Sequence, residues 1–138
     1  MRINQVMTRK VETIAPTATL ERAAETMESR NVGLLPVMDG DKVVGVLSDR
    51  DLVLRAIARG LNPKSWLVRD VMTNSVLSCR EDDTVADACN LMERNLVRRL
   101  VVVDENQKLV GIVSLDDLAA KTHSEGLAGQ IIAKVSAA

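Results

Sequence analysis

Two seven-residue stretches carry the side chains best suited to binding chemistry. GVLSDRD (45–51) and GIVSLDD (111–117) share the pattern G-h-h-S-x-x-D, where h is apolar. Gly45 and Gly111 leave room for a ligand close to the backbone. Ser48 and Ser114 stand where an apolar run gives way to a helical pattern. Unpaired N–H groups and the helix dipole favour a phosphate at such a point. Asp51 and Asp117 fall in the first helical turn, and an ionised carboxylate is an acceptor pair suited to the two hydroxyls of a ribose. The same spacing also reads as a capping box, which stabilises a helix start with no ligand present. The two roles are compatible, and the spacing leaves both open.

No catalytic constellation accompanies these residues. His123 is the only histidine, Cys79 and Cys89 are not spaced as CxxC, and no GxSxG, GxGxxG or Walker A loop occurs. The expectation is a binding protein, not an enzyme, with no required cofactor and no separate metal site. Composition narrows the partners. The chain has 138 residues, 46% of them apolar, and a net charge of -1. That balance supplies no attraction for nucleic acid or an anionic membrane. Trp66 is the only aromatic residue, so platforms for stacking bases are missing. No run approaches the roughly 20 apolar residues that span a bilayer. Met1 to Lys10 has no apolar signal core, which makes a cytoplasmic location the expectation. Cys79 and Cys89 read as small core residues, and Met7 and Met72 as core or seam packing.

The elements that must position the two stretches are duplicated. Val6-Met7-Thr8 returns as Val71-Met72-Thr73, an offset of 65 residues. Val11, Thr19, Ala23 and Met27 fall on Val76, Thr84, Ala88 and Met92, and Leu35 and Val37 on Leu100 and Val102. One inserted residue then moves the offset to 66, which lays 45–52 on 111–118. Each half reads as β-α-β-β-α: a strand at Val11 to Ile14, a Thr19-capped helix, a hairpin through Asp39-Gly40-Asp41, and a second helix from about Asp49 to Arg59. The second half repeats this with Thr84 as cap and a last helix from about Leu115 to His123. The expected divisions are a first repeat at 1–60, a linker at 61–68, a second repeat at 69–122, and a helical tail at 123–138.

The ordered set VMT, Thr-capped helix, LPVMD or LVVVD, and G-h-h-S-x-x-D, found twice, resembles the tandem CBS domain family, also called Bateman modules. The stretch DRDLVLRAIARGLNP is similar to stand-alone bacterial CBS pairs such as the hypoxic response protein. The resemblance implies an α/β (α+β) fold of two intertwined repeats with pseudo-twofold symmetry and a short C-terminal helix. It implies an adenosine nucleotide (AMP, ADP or ATP) in the cleft between the repeats, with Asp51 on the ribose. Backbone groups near Val11, Thr13, Leu35 and Val37 would hold the adenine, their side chains shaping an apolar slot. By the family's crossed geometry, Arg98 or Arg99 would serve the ligand of Asp51, with Arg50 adding a further cation. Val76, Ser78, Gly111, Ser114 and Asp117 would form a second, weaker site, with Asp116 adding an acid. The alternative for Arg98 and Arg99 is a solvated strand end or a dimer contact. A homodimer and a separate, unknown partner protein are also implied. The alternative is an interaction module with no nucleotide ligand.

Overall fold

A computed structural model describes residues 1–122; the expected helical tail, and His123 with it, lies outside the described residues. The chain forms two compact units. One is Glu12–Val76, and the other joins Met1–Val11 to the chain from Leu77 on.

In the unit Glu12–Val76, α1 (Leu20–Arg30) begins where the Thr19 hydroxyl accepts the Arg22 N–H at 3.1 Å. This satisfies one of the orphan donors of the first turn. Leu20, Ala23 and Met27 are its buried face, as the i, i+3, i+7 spacing requires. β1 (Leu34–Asp39) and β2 (Lys42–Ser48) form an antiparallel hairpin whose turn uses Gly40 at φ +62°. The chain continues as the single α turn α2 (Asp49–Asp51) and then a π-helical stretch, Leu52–Ile57. Gly60, at φ +70°, follows. After the linker comes α3 (Val68–Val71), whose first turn is held by the Asp70 carboxylate on the Leu67 N–H at 2.8 Å. Leu20, Ala23, Leu35, Val37, Leu47, Val68 and Val71 form the core of this unit.

The other unit has a three-stranded sheet in the order β3 (Ser78–Arg80), β4 (Arg99–Val103), β5 (Leu109–Ser114). β3 runs parallel to β4, and β4 antiparallel to β5. α4 (Val85–Asn95) is capped by Thr84 and buries Ala88, Cys89 and Met92. α5 (Leu115–Thr122) follows β5 directly. Its core includes Ile3, Val6 and Met7 beside Met92, Leu100, Val102 and Leu118.

The two units are therefore not the two repeats read in sequence order. The VMT segment of the first repeat is built into the unit of the second repeat, and Val71-Met72-Thr73 into the unit of the first. Each segment docks on a hairpin strand. The Thr73 N–H donates to Val46 O at 2.9 Å, and the Val46 N–H returns to Thr73 O at 3.0 Å. Thr8 and Ile112 exchange the equivalent bonds at 2.8 and 3.0 Å. One expected element is reduced. Of Val11 to Ile14 only Ile14 pairs, in a parallel bridge to Val37, because its N–H and C=O bind Pro36 O and the Met38 N–H. Its counterpart, β3, is a full strand.

Candidate functional site

The Ser48–Asp51 pair closes the junction of β2 and α2. Ser48 is extended (φ -104°, ψ 161°), which turns its hydroxyl onto the Asp51 N–H at 3.0 Å. The Asp51 carboxylate reaches back through Oδ2 to the Ser48 N–H at 2.9 Å. The capping box anticipated from the spacing is thus complete. Its second oxygen, Oδ1, lies 3.8 Å from Arg55 Nε, and the Asp51 side chain is 14% exposed. Through Nη1 the same guanidinium donates to Val71 O at 3.1 Å and Met72 O at 3.2 Å. Arg50 is exposed and makes no ion pair among the described residues. Asp49, Arg50, Val53 and Leu54 line a surface depression of about 420 Å³.

The Ser114–Asp117 pair repeats the box, with both bonds at 3.0 Å. Its carboxylate has a different neighbour: Asp117 Oδ2 also accepts the Thr8 hydroxyl at 3.4 Å. Lys121 donates to Val6 O at 2.8 Å. Arg98 and Arg99 belong to this unit. Arg99 stands opposite Ser114 in the strand register, and Arg98 pairs with Asp116 at 4.0 Å on the surface. The structure thus brings both arginines together with Asp116, Ser114 and Asp117, while Asp51 and Arg50 lie in the other unit.

The remaining sequence-derived residues divide as follows. Thr13 is exposed and Val11 half-buried. Leu35 and Val37 are fully enclosed in a core, so their side chains form no wall of an open slot. Val76 is half-buried, and Ser78 is exposed on β3. The unit boundaries run between Val11 and Glu12 and between Val76 and Leu77. They cut through the very segments expected to hold adenine. The room at Gly45 is taken by the chain itself: a Cβ there would lie 2.8 Å from Met72 Sδ and 2.9 Å from Thr73 O. At Gly111 it would lie 2.8 Å from both Met7 Sδ and Thr8 O.

Sequence reasoning passed over Arg55 and Lys121. The repeat held the signal, since the offset of 66 that aligns Asp51 with Asp117 also aligns these two cations. The cysteines offer no nucleophile. Burial, with Asp83 adding, pushes the Cys79 thiol up to about 12, and burial with Glu93 raises Cys89. Among the described residues no three His, Cys, Asp or Glu side chains gather as metal ligands. No helix among them is long and apolar enough to cross a membrane.

A duplicated unit of a small sheet with flanking helices, each copy ending its hairpin in a Ser–Asp helix start, defines a class. The CBS domain family matches residues 3–57 and 68–123, and the chain belongs to that family as a tandem CBS pair, a regulatory module. It is 37% identical over 134 residues to the CBS domain-containing protein YhcV of Bacillus subtilis, covering 97% of this chain and 94% of that one. The solved structure of Hypoxic Response Protein I with two coordinated zinc ions has a TM-score of 0.77 at 31% identity, covering 87% and 98% of the two chains. The CBS domain pair of MJ0100, in complex with 5′-methylthioadenosine and S-adenosyl-L-methionine, shares the fold with a TM-score of 0.77 at 23% identity, covering 87% and 98%.

Proposed function

We propose that this CBS pair is a cytoplasmic sensor of an adenosine-containing nucleotide, AMP, ADP or ATP, and that it catalyses nothing itself. The observation that carries the reading is the Asp51 carboxylate. Its Oδ2 is fixed by the Ser48 N–H, while Oδ1 stays outside the box as an acceptor suited to a ribose hydroxyl. Arg50 supplies an exposed cation on the same turn, and Arg98 and Arg99 enter as further phosphate-binding candidates on sequence grounds. The adenosine ligands of MJ0100 support the choice of ligand class. A ligand acts by binding one arrangement of the protein more tightly than another, and the signal then passes to a partner protein. A homodimer belongs to the same reading, and the exposed side chains of Val53, Leu54 and Ile57 offer apolar surface for it.

The test is calorimetric titration with AMP, ADP, ATP and NAD, alongside Asp51→Ala and Asp117→Ala. Saturable binding lost in folded Asp51→Ala and kept in Asp117→Ala is the expected result. The second reading, an interaction module with no nucleotide, is favoured by one observation: capping boxes and methionine-filled glycine notches already explain the motif residues. Absence of heat and of any rise in melting temperature with all four compounds would establish that reading instead.

A further inference from the structure

We infer that Arg55 is the positioning residue of the Asp51 site, coupling its carboxylate to the segment Val71-Met72-Thr73; its functional meaning rests on the proposed role of Asp51. The contacts form a closed ring within one unit. Val46 of β2 is bonded to Thr73, and Val71 and Met72, just before it, present carbonyls at the end of α3. Such carbonyls have no partner within the helix. Arg55 donates to both of them and faces Asp51 Oδ1, while Asp51 Oδ2 holds the Ser48 N–H, two residues beyond Val46. A planar guanidinium suits this task because its fork serves several acceptors at once.

Among the described residues the other unit has no such charged link. Lys121 takes the equivalent carbonyl, Val6 O, but Asp117 is met by the Thr8 hydroxyl. Of the two Ser–Asp boxes, the Asp51 box is therefore the one that carries an ion pair among the described residues, and a ligand hydroxyl can replace it. A ribose hydroxyl on Oδ1 competes with Arg55, and the released guanidinium then bears fully on Val71 O and Met72 O. Occupancy at Asp51 is felt at Thr73, which docks the linker-derived segment on β2.

Amide hydrogen exchange on the ligand-free full chain tests the ring, with Thr73 and Thr8 as reporters. Arg55→Gln speeds exchange at Thr73 about threefold to tenfold, the range for losing half-exposed charged hydrogen bonds, and leaves Thr8 unchanged. Lys121→Met does the reverse. Arg55→Lys restores Thr73 only in part, because a lysine can hold one carbonyl, as Lys121 does in the other unit, but lacks the fork that also faces Asp51. Asp51→Asn reproduces part of the Arg55→Gln effect at Thr73. If Asp51→Asn leaves Thr73 exchange at the wild-type rate while Arg55→Gln speeds it, the coupling is refuted. Saturating AMP slows Thr73 in the wild type and not in Arg55→Gln. No effect of AMP, ADP, ATP or NAD on the wild type, with the ligand-free pattern intact, overturns the nucleotide reading and leaves the positioning role standing.

Discussion

Replacing Gly45 with alanine separates a packing role from a ligand role. The new Cβ meets Met72 Sδ at 2.8 Å and Thr73 O at 2.9 Å. The thioether end can swing aside, but the carbonyl cannot move without opening the Val46–Thr73 bridge, whose bonds are 2.9 and 3.0 Å long. Overpacking costs about 1–3 kcal/mol, and each opened backbone bond about 1 kcal/mol. The loss of unfolded-state freedom on Gly→Ala returns about 0.4–1 kcal/mol. The net expectation is a loss of roughly 2–3 kcal/mol. Urea denaturation followed by Trp66 fluorescence reads it directly, because the only tryptophan lies in this unit. Gly40→Ala is the control: nothing lies within 4 Å of its Cβ, but φ is +62°, so it costs only the left-handed backbone penalty of about 1–2 kcal/mol. Adding Met72→Ala to Gly45→Ala recovers little, since the carbonyl contact persists. A Gly45→Ala midpoint indistinguishable from wild type would refute the reasoning. Unchanged stability with lost nucleotide affinity would return the glycine to the ligand.

Two further outcomes follow from the core and the caps. The Cys79 thiol, ordinarily near 9.0, stands near 12 in the folded chain. Between those values the folded state keeps a proton that the unfolded chain has released, so stability is full below about pH 9 and falls as pH rises, by about 1.4 kcal/mol per pH unit. Chemical denaturation from pH 8 to 10.5 should show stability level to about pH 9 and falling above it, and Cys79→Ala should lessen the fall, leaving the part that the raised Cys89 thiol contributes. Thr19→Ala removes the acceptor of the Arg22 N–H and should cost about 1 kcal/mol, measured as a lowered denaturation midpoint; a shift within error would show that water replaces the cap.

What was legible in the sequence was local. Thr19 and Thr84 announce their helices because a cap acts within three residues, and Gly40 marks its turn. The Ser–Asp boxes were equally readable, since both bonds span three residues. What escaped was long-range. No period says that Met72 fills the notch at Gly45, or that Met7 fills the one at Gly111. The π-helical widening at Leu52–Ile57 likewise leaves no trace in an apolar pattern that suits an ordinary helix. For the candidate site, residue types and the neighbours within each unit are what sequence and structure can be compared on. Arg98 and Arg99 are cations on a strand, as read, but the strand places them with Ser114 and Asp116.

The exchange of leading segments has a consequence for biosynthesis. The unit Glu12–Val76 is continuous, so all its parts exist once residue 76 has left the ribosome. The other unit cannot close then. Ile3, Val6 and Met7 must wait for the strands and helices between Cys79 and Leu118. At roughly 5–20 residues per second, the N-terminal segment spends several seconds without its partners. During translation Glu12–Val76 is thus free to fold before Ile3, Val6 and Met7 find their partners, although those three are made earlier.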